Sequence, residues 1–137
     1  MIRTVSTFAL ACLAAAPAAA QEWDCSKADE LPQMGMNWCA GQEYQAADKA
    51  LNDLWPKVRA AMEKDDAELK KIDPSLVGAE AALMKAQRAW IDYRDGQCEG
   101  EGFYARGGSL EPLLVATCKT RMTRDRTEEL RKLIEVE

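Results

Sequence analysis

Cysteine is the residue type with the most reactive chemistry in this sequence, because a thiol can attack a substrate, bind a metal or form a disulfide. Four cysteines lie in the body of the chain, and none of them forms a Cys-x-x-Cys pair. A zinc site built from four such widely separated cysteines would be unusual. An even number of cysteines in a small exported domain instead predicts two disulfides. The four residues are Cys25, Cys39, Cys98 and Cys118.

Catalytic chemistry has few other candidates, since the chain contains no histidine. Histidine is the commonest general acid or base and the commonest metal ligand. No hydrolase, phosphate-loop or dinucleotide motif is present, and a cluster of four acids lacks the spacing of a calcium-binding loop. We therefore expect a non-enzymatic protein with no catalytic residue, no metal and no cofactor. The four acids are Asp92, Asp95, Glu99 and Glu101.

The N-terminal segment has the order of a cleavable secretory signal. Arg3 precedes an apolar run over residues 5–16, which Pro17 ends. This run is shorter than the roughly 20 residues that a membrane-spanning helix needs. Three alanines follow, and we expect cleavage after the last of them, Ala20. Lipid attachment at Cys12 is not favoured, because the residues before it make a poor lipidation site and the apolar run would be cut short.

The remaining residues, 21–137, suit one compact domain. The whole sequence has a formal net charge of −5, and loss of Arg3 with the signal makes the domain more acidic still. An acidic balance argues against a nucleic-acid partner and is compatible with a basic protein partner. No other segment is apolar enough to span a membrane. We therefore expect a periplasmic or secreted protein.

The elements that must position these residues are helices, because apolar residues recur every three or four positions. Pro56 interrupts the first such stripe, and we expect a kink there rather than two separate helices. The stripe consists of Tyr44, Ala47, Leu51, Leu54, Trp55, Val58 and Met62.

A turn is predicted near residues 66–73, because this charged stretch ends in Asp73 and is followed by Pro74. Asp is a good helix N-cap, and Pro is tolerated at the first helical position. A second helix is therefore expected to begin near Pro74. Its inner face is predicted to hold Leu76, Leu83, Ala86, Trp90 and Tyr93.

A loop is predicted over residues 96–108, which contain five of the eight glycines. Ser109 is expected to cap a third helix, with Pro112 in its first turn. β-branched residues are sparse, and no alternating run of strand length occurs. The sequence therefore predicts an all-α fold, a small three-helix up-down-up bundle with an N-terminal arm over residues 21–35, stabilised by two disulfides.

Three of the cysteines are expected at one pole of this bundle, where the first helix begins, the second ends and the third begins. The sequence allows three pairings of four cysteines. Alignment of the helices favours Cys39 with Cys98, which leaves Cys25 for Cys118. Each cross-link would stabilise the small domain by about 2–4 kcal/mol, chiefly by restricting the unfolded chain.

Three arginines are interpreted as structural, because Arg can fork onto carboxylates and so link helices. They are Arg94, Arg121 and Arg126. Asp48 and Asp92 are the expected partners.

Three segments carry a resemblance to a known group. They are residues 47–55, which follow Cys39; residues 86–98, which read Gln-Arg-Ala-Trp…Tyr-Arg-Asp…Cys; and residues 118–130. Together they resemble the bacterial LprI-like lysozyme inhibitor family, long catalogued as a domain of unknown function, over nearly all of the chain after the signal. The resemblance implies a secreted or periplasmic helical domain and inhibition of lysozyme, although a fold does not by itself fix a function.

The predicted loop between the second and third helices is the candidate binding segment. Aromatic and Arg side chains on such a loop suit a protein interface, and bracing by a disulfide reduces the entropy lost on binding. The alternative interpretation is a flexible connector. The candidate residues are Glu99, Glu101, Phe103, Tyr104 and Arg106.

Taken with the resemblance, this loop suggests a non-enzymatic inhibitor that blocks the cleft of a lysozyme-type muramidase. Animal-type lysozymes are strongly basic and cleave through two cleft carboxylates. An acidic domain would be attracted to them, and Arg106 could reach those carboxylates. The alternative is a periplasmic or cell-envelope structural or interaction module that binds another envelope protein or peptidoglycan without inhibiting lysozyme.

Overall fold

The computed structural model describes residues 23–135. The predicted signal over residues 1–20, its cleavage after Ala20 and the alternative of lipid attachment at Cys12 lie outside the described residues. Three helices account for most of the described chain: α1 (Gln33–Ile72), α2 (Ala79–Gly102) and α3 (Glu111–Ile134). Together with short 3₁₀ segments they form the all-helical, three-helix fold predicted from the sequence.

Helix α1 is much longer than predicted. It comprises 40 residues, a length of about 60 Å at the rise of an α-helix, and it continues through Pro56 without division into two helices. The turn expected near residues 66–73 is therefore wrong, since almost all of that stretch belongs to the end of α1. Ala, Leu, Glu and Lys, which make up most of residues 66–72, are good helix formers, and this part of α1 is largely exposed.

The connection between α1 and α2 lies at residues 73–78. The Asp73 carboxylate accepts a 2.8 Å hydrogen bond from the Ser75 backbone N–H, so it does act as a cap. The helix that it caps, however, is the single 3₁₀ turn Pro74–Leu76. The predicted start of α2 near Pro74 is thus wrong, and α2 begins at Ala79, after Gly78 has reversed the chain.

The apolar core lies where the middle of α1 meets α2 and α3. Leu51 and Val58 of α1 pack with Leu83 of α2 and Leu130 of α3, and all four side chains are buried. Five half-buried apolar side chains surround this cluster. They are Leu54, Trp55, Met62, Trp90 and Ile134.

The inner face of α2 differs from the predicted stripe. Ala86 and Tyr93 were expected inside, but both are exposed, Tyr93 by 61%. The buried positions are instead occupied in part by polar residues, Gln87 and Arg94. The apolar periodicity was therefore right at Leu83 and Trp90 but one residue early at Ala86 and Tyr93, because the pattern assumes that buried residues are apolar.

The disulfides join Cys25 to Cys39 and Cys98 to Cys118. All four cysteines are oxidised as expected, but the predicted pairing is wrong. The N-terminal 3₁₀ segment, Cys25–Glu30, folds back along the first turns of α1, which brings the Cα atoms of Cys25 and Cys39 within 5.5 Å. The short connection between α2 and α3 likewise brings the Cα atoms of Cys98 and Cys118 within 5.4 Å. Each disulfide is therefore local in sequence.

Candidate functional site

The start of α1, the end of α2 and the start of α3 meet at one end of the molecule, which we call the disulfide pole. The side-chain amide of Asn37 in α1 donates a 2.9 Å hydrogen bond to the carbonyl of Ser109, just before α3. This bond joins two elements that are 72 residues apart. Cys98 and Cys118 are both buried at this pole.

The predicted loop at this pole is shorter than residues 96–108. Helix α2 continues to Gly102, a 3₁₀ turn follows over Phe103–Ala105, and only residues 106–110 connect it to α3. Gly102 is buried, and a Cβ atom at that position would lie 2.6 Å from a methyl group of Val115. Glycine at position 102 permits close packing of α2 on α3. The glycines of this segment therefore serve helix packing as well as the turn of the chain.

Arg106 is the centre of the polar contacts in the connection. Its guanidinium lies 4.5 Å from the centre of the Phe103 ring and donates a 2.7 Å hydrogen bond to the Glu111 carboxylate. Glu99 is more distant, at 4.0 Å. The cation–π contact and the ion pair together hold the Phe103 ring against the connection.

Glu111 also closes the connection from the side of α3. Its carboxylate accepts a 2.7 Å hydrogen bond from the backbone N–H of Gly107, a residue with a φ of 77° that favours glycine. This bond and, secondarily, the Arg106 guanidinium hold the pKa of Glu111 below its ordinary value. Ser109 was the predicted cap of α3, but the N-cap position is held by Leu110, without a side-chain capping bond, and that prediction is wrong.

The structure brings the five candidate binding residues together around this turn. Tyr104 is 94% exposed and Phe103 56%, so both rings present apolar surface to solvent at the pole. Glu99 projects into solvent beside them. Glu101 is held differently, because its carboxylate accepts a 2.9 Å hydrogen bond from Arg121 of α3.

Comparison with known proteins agrees with this architecture. Residues 25–130 match the family described as "Lysozyme inhibitor LprI", and the match includes both disulfides, α1, α2 and most of α3.

The chain belongs to the LprI family.

A curated relative from Rhizobium meliloti (strain 1021), "Uncharacterized protein R02472", is 55% identical over 126 residues, which cover 92% of this chain and 89% of the relative. No solved structure matches the chain.

The most specific stretch of the LprI resemblance, residues 86–98, supplies the buried side chains with which α2 contacts the other helices. Arg94 lies between the rings of Tyr44 and Trp90, at 5.5 and 5.0 Å from their centres. Its Nη1 is 3.5 Å from a carboxylate oxygen of Asp48, as the hypothesis of a structural arginine predicted, and its Nε donates to Asp95 at 2.9 Å.

The other two arginines that were predicted to be structural also link elements, but through unpredicted partners. Arg121 bonds Glu101, and Arg126 donates a 3.0 Å hydrogen bond to the side-chain oxygen of Gln87. The sequence did not indicate Gln87 or Arg94 as interior residues. A spacing of seven between them, which places two polar residues on one helix face, is the signal that could have found them.

Two further findings concern the part of the chain from 23 to 135. Its acidic and cysteine side chains form no group of three that could hold a metal ion. Within the same residues, no helix combines the length and the apolar character that crossing a membrane requires.

Proposed function

We propose that this member of the LprI family is an exported, non-enzymatic inhibitor of lysozyme that blocks the enzyme's cleft with the turn at the disulfide pole. The observation that carries the proposal is the exposure of Phe103 and Tyr104 on a turn that is held in place. Protein interfaces concentrate their binding energy in a few aromatic and Arg residues, and a preorganised turn loses little entropy on binding. The family's description supports lysozyme as the target.

The two aromatic residues have different roles in this proposal. Tyr104 is almost fully exposed, so its ring is the group that enters the cleft. Phe103 is partly covered by the Arg106 guanidinium and forms the base of the inserted turn. Both rings bring apolar area at a low cost in side-chain entropy.

Arg106 acts by positioning rather than by pairing with the carboxylates of the enzyme. Its charge is already matched by Glu111 at 2.7 Å, and transfer to a cleft carboxylate would leave Glu111 without that partner. The exposed carboxylate of Glu99 instead adds to the negative charge of the pole. Together with the acidic balance of the chain, whose full sequence has a net charge of −5, this carboxylate attracts a basic enzyme over a distance of about one Debye length, roughly 8–10 Å.

Export and oxidation are consistent with this role. Disulfides persist in oxidising compartments outside the cytoplasm, and the chain has two of them. The signal predicted over residues 1–20 would deliver the domain to the periplasm or beyond, where cell-wall enzymes act. N-terminal sequencing of the exported protein should begin at Gln21.

The test is an assay of cell-wall lysis by animal-type lysozyme in the presence of purified, oxidised residues 21–137. We expect slower lysis, with stronger inhibition at low salt. Tyr104→Ala should weaken inhibition by on the order of thirtyfold, as for an interface hot spot. Tyr93→Ala is the matched control, because Tyr93 is an exposed tyrosine on the side of α2.

Two outcomes would contradict the proposal. If micromolar protein leaves the rate of lysis unchanged, the protein does not inhibit lysozyme, and the alternative of an envelope interaction module is favoured. If Tyr93→Ala and Tyr104→Ala reduce inhibition equally, the protein is an inhibitor but does not bind lysozyme through the turn.

A further inference from the structure

A second site lies away from the turn, in the groove between α1 and α2. This groove contains a cavity of about 280 Å³, and the residues that carry the argument are Asp48, Asn52, Trp55, Arg88, Trp90 and Arg94. We propose that it binds a saccharide unit, and specifically an N-acetylated amino sugar. The proposal goes beyond lysozyme inhibition and does not depend on it.

The apolar walls of the groove are aromatic. Trp55 of α1 and Trp90 of α2 both line the cavity and are only half-buried, although both pack against the core. An indole ring offers a flat surface to the C–H face of a sugar ring. Trp55 takes this role, because the Arg94 guanidinium already lies 5.0 Å from the centre of the Trp90 ring, and Trp90 adds apolar edge to the wall. Small-molecule sites combine such walls with a few polar groups that fix the orientation of the ligand.

The polar groups of the groove include a buried cation, Arg94, whose Nη1 makes only long contacts. The Arg94 side chain is only 8% exposed. Its Nη1 has two distant neighbours, Asp48 and Thr123, each at 3.5 Å, whereas charge-assisted bonds are usually 2.7–2.9 Å long. A guanidinium with such long contacts can donate a shorter bond to a ligand oxygen.

An acceptor lies beside this donor. The Asp48 carboxylate is 40% exposed and accepts a 2.9 Å hydrogen bond from the side-chain amide of Asn52. Each carboxylate oxygen has a second lone pair that can accept from a ligand. Arg88, exposed at the rim of the cavity, supplies further donors.

This combination of groups favours a neutral ligand. An anion would be repelled by the Asp48 carboxylate, and a cation would be repelled by the guanidinium groups of Arg88 and Arg94. A sugar hydroxyl both donates and accepts, so it fits a site that presents donors and acceptors side by side. An acetamido group fits best, because its N–H matches Asp48, its carbonyl oxygen matches the Arg and Asn donors, and its methyl group suits the indole walls.

The size of the cavity agrees with this ligand class. At about 280 Å³ it lies just below the range of about 300–1,000 Å³ that is common for drug-sized ligands. It therefore suits a single sugar ring, with the rest of an oligosaccharide extending along the open groove. Free oligosaccharides and the glycan strands of the cell wall both present this chemistry.

The experiment titrates the intact, disulfide-bonded protein with triacetylchitotriose and, separately, with cellotriose. These trisaccharides share their linkage and differ in carrying an acetamido or a hydroxyl group at C2. Binding is followed by tryptophan fluorescence and by calorimetry. We expect saturable binding of triacetylchitotriose, and binding of cellotriose that is weaker by about tenfold or more, because a buried polar group is left unmatched.

Exposed residues allow variants that keep the fold. Asn52→Ala and Arg88→Ala should each weaken the binding of triacetylchitotriose by about fivefold to tenfold. The matched controls are Gln42→Ala on α1 and Lys85→Ala on α2, exposed residues of similar type that do not line the cavity, and they should leave binding unchanged. Retention on insoluble peptidoglycan, reduced by the same two variants, would identify the glycan strand as the source of the sugar.

The proposal is overturned if neither trisaccharide binds at millimolar concentration, or if the groove variants and the controls behave alike. Equal binding of the two trisaccharides would overturn the assignment of the acetamido group. These results are separate from those for lysozyme, because Tyr104→Ala leaves the groove intact and should bind triacetylchitotriose as the wild type does.

Discussion

The carboxylate of Asp66 in α1 accepts a 2.7 Å hydrogen bond from the backbone N–H of Gly78, twelve residues later in the chain. The same carboxylate accepts further bonds from the N–H groups of Ala79, at 2.8 Å, and Glu80, at 3.1 Å. The N-terminus of α2 is therefore capped by a side chain from the preceding helix rather than by a residue of its own. Gly78, with a φ of 149°, allows the chain to reach this position.

This cap predicts that Asp66→Ala lowers the midpoint of thermal unfolding by several degrees, since three N–H groups at the start of α2 lose their acceptor. The three backbone bonds hold the pKa of Asp66 below its ordinary value. A carboxylate whose pKa is lower in the folded state than in the unfolded state stabilises the fold fully at a pH above its unfolded pKa, which is near 4. This stabilisation is lost as the pH falls through the pKa of the folded state. The difference between wild type and variant should thus be complete at pH 7 and shrink below about pH 4.

Asp65→Ala is the matched control for that experiment, because Asp65 is the neighbouring carboxylate and does not cap α2. Calorimetry of both variants from pH 7 to pH 3 measures the effect. A loss of stability that is equal in the two variants would contradict the cap.

The close approach of α2 and α3 predicts opposite effects for two nearby glycines. Gly102→Ala should destabilise the fold by about 1–3 kcal/mol, because the new Cβ would lie 2.6 Å from the Val115 methyl group and force an overpacked contact. Gly100→Ala meets no atom within 4 Å and should stabilise α2 by up to about 1 kcal/mol through helix propensity. Urea unfolding of the two variants gives the free energies, and effects of the same sign would contradict the packing.

The disulfide pairing predicts a specific peptide map. Lys and Arg residues separate all four cysteines in the sequence, so trypsin releases each cysteine on a different peptide. Under non-reducing conditions, mass spectrometry should find the Cys25 peptide joined to that of Cys39, and the Cys98 peptide joined to that of Cys118. A peptide that joins Cys39 to Cys98 would contradict the structure.

Removal of each disulfide should cost about 3 kcal/mol of stability, as expected for loops of this size, but the two should differ in function. Cys98→Ala with Cys118→Ala releases the turn that carries Tyr104, so we expect weaker lysozyme inhibition. Cys25→Ala with Cys39→Ala releases only the N-terminal arm and serves as the control. Inhibition assays below the unfolding temperature of both variants separate the two effects.

The bond between Glu111 and the Gly107 backbone predicts an observable that does not require inhibition. In Glu111→Ala the Gly107 amide should exchange with solvent about tenfold faster, because its acceptor is lost. In the wild type, the chemical shift of this amide should titrate with a midpoint below 4.5, the ordinary pKa of the carboxyl group. Glu99→Ala is the control, since Glu99 contacts Arg106 only at 4.0 Å. An unchanged Gly107 amide in Glu111→Ala would contradict the bond.

Much of the fold could be predicted because helices are encoded locally. The stripe that contains Leu51 and Val58 follows from spacing alone, and so does the expectation of disulfides from an even number of cysteines. The predicted boundaries were less accurate. Residues 66–72 read as a turn by composition, but their helix-forming residues continue α1. Gly102 also read as part of a turn, but it stays in α2, where it packs against Val115 of α3.

The candidate turn could be placed from composition, but its internal arrangement could not. Phe103, Tyr104 and Arg106 are adjacent in sequence, so any connection would group them. Arg106 pairs with Glu111 and lies over Phe103 only because α3 begins where it does. The sequence suggested an arginine available to bind a partner, whereas the structure shows one that is already paired with Glu111 and lies over Phe103.

The sequence by itself determined that this chain forms helices, that its cysteines can cross-link and that its surface is acidic, because each of these properties depends on residue type and short-range spacing. Only the tertiary structure decided which residues face one another. The partners of Asp66, Arg94 and Cys25 are set by how the arm and the three helices pack. That packing depends on contacts between distant parts of the chain, which a local pattern cannot encode.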